Sequence, residues 1–253
     1  MKNDLFTIGN FTIHGYGLMI GIGFVAAYLM TEYRAKKYKL NSDMIFTLFL
    51  SSVIFGLLGA KIFYYITIFD EIIKDPKVIL EEAEGFVVYG GIICGVLAGY
   101  VVCRIKKENF WKYFDLIAPS IALAQGFGRI GCLLAGCCYG KETSGILSIT
   151  FRNSDFAPNG VALIPTQIYS SIFDFLNFIV LCIIARHTKK DRMVAGCYCV
   201  FYSVGRFIIE CFRGDIERGS VGVLSTSQFI SIFIFAIGVL MLVIKKEQKS
   251  VEE

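Results

Sequence analysis

Residues 44–69 read MIFTLFLSSVIFGLLGAKIFYYITIF and contain a single charged side chain, Lys61. At about 1.5 Å per residue, a helix of this length exceeds the roughly 30 Å hydrocarbon core of a bilayer. The run is too long for a strand and lacks the alternation of a membrane barrel strand. Because a chain in lipid must satisfy its own backbone hydrogen bonds, the stretch predicts a transmembrane helix.

Six further stretches have the same character, at residues 16–30, 86–103, 113–134, 166–185, 193–212 and 228–244. The 253-residue chain is 55% hydrophobic and only 18% charged, with a mean hydropathy of +0.63. These values exclude a disordered chain and an ordinary soluble domain. We therefore predict an all-α membrane protein with seven transmembrane helices, forming a single polytopic domain over residues 1–253.

Lysines and arginines of the short loops collect on one side of the predicted bundle. They are Arg34, Lys36, Lys37, Lys39, Arg104, Lys106, Lys107, Lys112, Arg186, Lys189, Lys190, Arg192, Lys245, Lys246 and Lys249. The positive-inside rule makes this side cytoplasmic, with the N-terminus outside and the C-terminus inside. This orientation requires an odd number of spans, in agreement with seven.

Two longer segments then lie on the outer side: an acidic arm at residues 70–85 and a head segment at residues 137–165. The head segment is rich in Gly, Ser, Thr, Asn and Asp. Within residues 146–151, apolar and polar side chains alternate from Leu147 onward, which predicts a short strand. The net charge of +4 is scattered, and we expect no nucleic-acid partner.

Besides Lys61, whose long side chain can reach a membrane interface, five charged residues stand inside the predicted spans, where each is a functional hypothesis. They are Asp115, Arg129, Asp174, Arg206 and Glu210. Arg129 and Arg206 lie at similar depth in two helices that run in the same direction. Two guanidiniums can clamp a phosphate, and glycines beside Arg129 would let an anionic headgroup approach. These glycines are Gly126, Gly128 and Gly131.

A structural alternative exists for the same charges. Arg206 can pair with Glu210 four residues later, and Arg129 can pair with Asp115 or Asp174. Buried ion pairs would then neutralise the arginines and leave no binding site.

The nine cysteines include Cys132, Cys137 and Cys138 at the outer end of the fourth span. Four roles remain open for these cysteines. Inert packing ranks first and a disulfide second. A metal site is also open, and a catalytic thiol that accepts an acyl group ranks last. A zinc site would need a fourth ligand, for which His14 is on the appropriate side. Overall, no metal and no cofactor is expected.

Several motifs occur in a defined order along nearly the whole chain. They are Tyr16-Gly17-Leu18-Met19, Gly59-Ala60-Lys61, Tyr89-Gly90-Gly91, Gly128-Arg129-Ile130-Gly131, Pro165-Thr166-Gln167-Ile168-Tyr169, Gly205-Arg206-Phe207-Ile208-Ile209-Glu210 and Phe212-Arg213. In this order, the chain resembles the prolipoprotein diacylglyceryl transferase family. The resemblance implies a seven-helix bundle with a periplasmic head and an arm, in the bacterial cytoplasmic (inner) membrane.

The resemblance also implies an activity: transfer of the diacylglyceryl group of phosphatidylglycerol to the lipobox cysteine of a prolipoprotein signal peptide, with release of glycerol phosphate. Partners would be these two substrates and the surrounding membrane lipids. Implied catalytic residues are Arg129, Arg206, Tyr202 and Tyr89. Implied substrate-binding residues are Tyr16, Gly90, Gly91, Gly128, Gly131 and Glu210.

The chain departs from the family pattern at two places. Tyr89 stands where the family commonly has a histidine, and Cys132, Ala135 and Cys137 replace two asparagines and a glutamate. Two alternatives follow from these departures. One is a divergent family member with another lipid or thiol acceptor, and the other is a non-catalytic phospholipid-binding or transport protein.

Overall fold

The structure is a computed structural model that describes residues 4–8, 11–81, 85–215 and 219–244. It contains seven helices that are long and apolar enough to span a membrane. In chain order these are α1 (Gly15–Lys37), α2 (Asp43–Thr67), α5 (Val88–Ile105), α6 (Phe110–Ala135), α7 (Thr166–His187), α8 (Met193–Cys211) and α9 (Thr226–Val243). The all-α, seven-span prediction is confirmed, and the protein is a multi-pass membrane protein. The side of the membrane on which each end lies stays a prediction.

Large apolar side chains point outward along the spanning helices. Val25 is 59% exposed on α1, Leu57 is 59% exposed on α2, and Leu176 is 55% exposed on α7. A water-soluble protein would bury such side chains, whereas lipid tails solvate them. These faces are therefore the lipid-facing surface.

The chain forms two compact units: Met1–Thr31 with Phe114–Glu253, and Glu32–Tyr113. Helices α1 and α6 each contribute residues to both. In the second unit α2 packs on α5 through small residues. A Cβ added at Gly59 would lie 2.7 Å from Gly90 O, and one added at Gly91 would lie 3.0 Å from Gly56 O. Close helix packing through glycines is typical of membrane helices, since lipid leaves packing as the main attraction between them.

The predicted arm contains two short helices, α3 (Phe69–Lys74) and α4 (Val78–Glu81). The head segment contains an antiparallel pair, β3 (Ile149–Thr150) and β4 (Ala162–Leu163), with a small core of Phe151, Ala157 and Leu163. The predicted strand is thus shorter than residues 146–151. Ile146 is 102% exposed because it has neither a pairing partner nor a core contact there.

Two further strand pairs were not anticipated from the sequence. An antiparallel hairpin of β1 (Asp4–Ile8) and β2 (Phe11–His14) precedes α1, and β5 (Ser220–Val221) pairs with β6 (Leu224–Ser225) before α9. Ser225 and Gln228 form a capping box that starts α9. Two-residue strands carry too few residues for a periodic signal, which explains why the second pair was missed.

Candidate functional site

The ends of three helices meet in the larger unit. The chain leaving α6 pairs with the chain leaving α8: Lys141 N donates to Phe212 O at 2.8 Å, and Gly214 N donates to Tyr139 O at 3.1 Å. The start of α7 joins them, because Thr166 Oγ1 donates to Cys138 O at 2.8 Å. Residues about one to two turns inside each helix are thereby brought to the same level.

Four side chains predicted from the sequence converge at this level. Arg129 of α6 interacts electrostatically with Tyr202 of α8 and with Asp174 of α7. Arg206 of α8 interacts with Arg129 and with Tyr202. Asp174 is 5% exposed, and its carboxylate interacts electrostatically with both arginines. The two guanidiniums therefore lie in one electrostatic environment, which agrees with the similar depth predicted from the sequence.

Arg206 is held by direct contacts. Its Nη2 lies 2.9 Å from Glu210 Oε2 and donates to Ser227 Oγ at 2.8 Å. Only 14% of the Arg206 side chain and 3% of the Glu210 side chain are exposed. The pairing foreseen at this spacing is present, so Glu210 positions Arg206 and offsets part of its charge.

The guanidinium of Arg129 differs from that of Arg206 in its contacts. Among the described residues, no hydrogen bond and no carboxylate within 4.0 Å engages its guanidinium. The side chain is only partly buried. A guanidinium has five N–H donors, and leaving them without acceptors in a nonpolar environment is costly. Arg129 is thus available to an anionic ligand.

Arg213, just beyond α8, completes the cationic group. Its Nε and Nη2 donate to both carboxylate oxygens of Asp215, at 3.1 and 2.6 Å. Its Nη1 lies 3.9 Å from Glu210 Oε2, and its side chain is 7% exposed. Burial raises the pKa of the Asp215 carboxyl, while Arg213 opposes this shift.

Of the two carboxylates considered as partners of Arg129, only Asp174 interacts with it. The carboxylate of Asp115 instead accepts hydrogen bonds from Arg192 N at 2.6 Å and Ala195 N at 2.8 Å. It therefore satisfies backbone donors at the start of α8, in the manner of a helix cap. Asp174 interacts electrostatically with Arg129, without forming a direct ion pair.

The glycines around Arg129 have different surroundings. A Cβ at Gly128 would meet nothing within 4 Å, so open space adjoins this position. A Cβ at Gly126 would lie 2.7 Å from the Phe175 ring, and one at Gly131 would lie 3.2 Å from Tyr16. Gly126 and Gly131 thus allow close helix packing, and only Gly128 matches the expected approach route for a headgroup. A substrate-binding role of Gly131 stays a prediction.

Tyr16 opens α1 and is 42% exposed. It interacts electrostatically with Arg129 and with Cys132, Cys137 and Cys138. Tyr16 therefore lies near both the cationic group and the cysteines, and its substrate-binding role stays a prediction.

Tyr89, Gly90 and Gly91 belong to the other unit, at the start of α5. The two glycines pack against α2: a Cβ at Gly90 would lie 2.5 Å from Phe63 Cβ. Lys61 Nζ in the same unit donates to Gly85 O at 3.2 Å. Catalytic or substrate-binding roles of Tyr89, Gly90 and Gly91 stay predictions.

Three cysteines cluster where α6 ends. Gly136 has φ +75°, Gly136 N donates to Leu133 O at 3.2 Å, and Cys137 N donates to Cys132 O at 3.1 Å. This is the Schellman arrangement, which folds the chain back onto the last helical turn. The sulfur atoms of Cys132, Cys137 and Cys138 consequently lie within 4.8 Å of one another. His14, considered as a fourth ligand, is outside this group.

The environment of this cysteine group favours one thiolate. Hydrogen bonds from Cys132 and Cys137 lower the pKa of Cys138, and the nearby Arg213 and Arg129 guanidiniums add to this shift. Hydrogen bonding to the other two sulfurs and burial raise the pKa of Cys137. Of these two thiols, Cys138 therefore has the environment that favours the thiolate.

A partly open, apolar cavity of about 190 Å³ lies between α8 and α9. It is lined by Ser203, Val204, Phe207, Ile208, Ser231, Ile232 and Phe235. Its lining suits a hydrocarbon chain, and Arg206 precedes Phe207 on the same helix.

Sequence reasoning missed Ser227 as part of the site, and it quoted Arg213 only as part of a motif, without a role; Asp174 was considered both as a functional residue and as an ion-pair partner of Arg129. For Arg213 a signal existed: it follows Glu210 by three residues, a spacing that places both on one side of a helix end. For Ser227 there was none, because its contact with Arg206 depends on how α9 packs against α8.

Fold and side-chain geometry together define a multi-pass membrane protein in which arginines of α6 and α8 form one cationic group, with an apolar cavity between α8 and α9. The sequence profile of prolipoprotein diacylglyceryl transferases matches residues 3–244. The chain is 46% identical over 249 residues to the phosphatidylglycerol–prolipoprotein diacylglyceryl transferase of Clostridium tetani, covering 98% of this chain and 100% of that protein. It therefore belongs to the prolipoprotein diacylglyceryl transferase family.

Two other relatives agree. Phosphatidylglycerol–prolipoprotein diacylglyceryl transferase 2 of Clostridium perfringens is 46% identical over 248 residues, covering 97% of this chain and 96% of the relative. The corresponding enzyme of Staphylococcus haemolyticus is 30% identical over 251 residues, covering 95% of this chain and 87% of the relative. The resemblance drawn from the motifs is confirmed over nearly the full length.

Proposed function

We propose that the chain transfers the diacylglyceryl group of phosphatidylglycerol to the lipobox cysteine of prolipoproteins, in the cytoplasmic membrane of a bacterium. The single observation that carries the proposal is the available guanidinium of Arg129 beside the tethered guanidinium of Arg206. A phosphodiester between them would supply the acceptors that Arg129 lacks. Family membership supports the same reaction.

In this reaction a thiolate attacks the glycerol carbon that bears the phosphodiester, and the carbon–oxygen bond breaks. The leaving phosphate gains charge as the bond lengthens. Cations that the fold places beside the phosphate stabilise that charge, which is usually the largest contribution to such catalysis. Arg129 and Arg206 take this role, and Tyr202, which lies near both, supplies a phenol to the same group.

The polar and apolar parts of the donor lipid would bind at two neighbouring places on α8. The headgroup phosphate lies by the arginines, and an acyl chain occupies the cavity between α8 and α9. Such a division would orient the glycerol carbon relative to the acceptor sulfur, and orientation alone lowers a bimolecular barrier substantially.

The test uses purified protein in lipid nanodiscs with isotope-labelled phosphatidylglycerol and a synthetic lipobox peptide. We expect the peptide mass to increase by one labelled diacylglyceryl group, attached through a thioether. The matched control is the same peptide with its cysteine replaced by serine, which should stay unmodified. An unmodified cysteine peptide alongside tight lipid binding would overturn the proposal in favour of a non-catalytic lipid-binding protein.

A further inference from the structure

The sulfur atoms of Cys132, Cys137 and Cys138 form a compact triangle with all separations below 4.8 Å. Three thiolates bound to one ion at about 2.3 Å would be separated by roughly 3.8–4.0 Å, the edge of a tetrahedral or trigonal arrangement. Small side-chain movements thus suffice to coordinate an ion. Thiolates are soft ligands and select zinc-like and copper(I)-like cations over hard ones.

The backbone carrying these sulfurs is held from a neighbouring helix. Gln167 Nε2 donates to Cys137 O at 2.8 Å, and Thr166 Oγ1 donates to Cys138 O at 2.8 Å. Gln167 and Thr166 are each 1% exposed. A ligand group set on a rigid, buried frame loses little conformational freedom on binding.

Nearby charges also favour a metal–thiolate complex. One Zn²⁺ bound by three thiolates carries a net charge of minus one. Arg129 and Arg213 both interact electrostatically with Cys138 and would offset that charge. Apolar packing alone would not require two guanidiniums beside three sulfurs.

Within the described residues, the group supplies three ligand atoms and no fourth. Three protein ligands and one open position are the arrangement of catalytic zinc sites, whereas structural sites supply four. Cys132 follows Arg129 by three residues on α6, so this open position and the phosphate site lie on the same side of the helix.

We propose that Cys132, Cys137 and Cys138 bind one thiophilic cation of the Zn²⁺ class, and that its open position takes the acceptor thiol of the prolipoprotein. This inference rests on the proposed function. A free thiol is only a few per cent ionised at neutral pH, whereas a thiol bound to such a cation is deprotonated outright. The cation therefore supplies the nucleophile.

On binding the cation, the acceptor thiol loses its proton to water. The bound sulfur attacks the glycerol carbon, a carbon–sulfur bond forms, and the carbon–oxygen bond to the phosphate breaks. The electron pair of the broken bond leaves on glycerol phosphate beside Arg129. The thioether product carries no charge, binds the cation weakly and dissociates.

The first experiment tests the metal site by spectroscopy, using Co²⁺ as the probe. Protein purified under reducing, anaerobic conditions should bind one Co²⁺ per chain with a thiolate-to-cobalt charge-transfer band, and Zn²⁺ should abolish that band. Cys132→Ala and Cys138→Ser should lose the band. Cys94→Ala, a cysteine of α5 outside the group, is the matched control and should keep it. No band in the reduced wild type would overturn the site.

The second experiment tests the open position. Adding a lipobox peptide should change the cobalt spectrum toward four-sulfur coordination, and the serine peptide should leave it unchanged. An unchanged spectrum with the cysteine peptide would overturn the acceptor role.

Turnover then separates the two proposals. Removing the metal with a chelator should slow transfer by about 10²-fold, the usual scale for loss of nucleophile activation, and Zn²⁺ should restore it. Equal turnover with and without metal would overturn activation while leaving the transferase function intact. Peptide coordination without turnover, under any metal loading, would overturn the transferase function and leave the site intact.

Discussion

Arg129 should contribute most to binding the phosphate, because among the described residues no carboxylate within 4.0 Å neutralises its guanidinium. Replacing Arg129 removes this contribution. Two charge-assisted hydrogen bonds to phosphate contribute about 1.5–3 kcal/mol each. Arg129→Ala should therefore raise the barrier by about 3–6 kcal/mol, which lowers kcat/KM by about 10²- to 10⁴-fold. Arg129→Lys keeps the charge but loses bidentate geometry, and should lower kcat/KM by about 10- to 100-fold.

The assay measures initial rates of peptide modification at several concentrations of phosphatidylglycerol. Because the leaving phosphate gains charge in the transition state, the variant should have a lower kcat, and not merely a higher KM. Arg152→Ala is the matched control, since Arg152 is an exposed arginine of the head segment. Thermal unfolding in the same detergent verifies that each variant is folded.

A folded Arg129→Ala variant with kcat/KM within about threefold of wild type would refute the reasoning, because a transition-state contact of this kind cannot be removed at so small a cost. An equal loss in Arg152→Ala would refute it as well, since the effect would then reflect net charge and not the site.

Four further substitutions, which test three predictions, probe the surroundings of the site. Glu210→Gln removes the buried partner of Arg206 and should destabilise the fold by about 3–5 kcal/mol, seen as a lower unfolding midpoint in detergent; an unchanged midpoint would contradict the ion pair. Gly126→Ala should lower the stability by about 1–3 kcal/mol, because its Cβ would lie 2.7 Å from a phenylalanine ring. Gly128→Ala has open space around its Cβ, so it should fold normally and raise KM for the lipid. Equal losses of stability in the two variants would contradict this contrast. Asp115→Ala should cost about 1 kcal/mol by leaving backbone donors unsatisfied while sparing kcat, and a selective loss of kcat would argue for a direct catalytic role.

The spanning helices could be predicted from the sequence because hydropathy is a local property. In lipid, any apolar run of sufficient length must form a helix whatever its neighbours are. The same reasoning placed Arg129 and Arg206 at one level, since depth follows from helix direction and a fixed rise per residue. The ion pair between Arg206 and Glu210 also follows from spacing along a single helix.

Contacts between helices required the tertiary structure. Asp115 caps α8 although its sequence position made it a candidate partner for Arg129. Gly126 and Gly128 are two residues apart, yet one packs against a ring and the other adjoins open space. A period of 3.6 residues orients neighbouring positions differently, and the sequence does not state what each direction faces.

The cysteine group divides in the same way. From the sequence, three cysteines at the end of a span left packing, a disulfide and a metal site open. Tertiary structure brings their sulfurs together, because a left-handed Gly136 turns the chain back and the start of α7 holds the turn in place. Local hydropathy thus determined the number of helices, whereas long-range packing decided which side chains share a site, since the energy of such contacts depends on residues far apart in the chain.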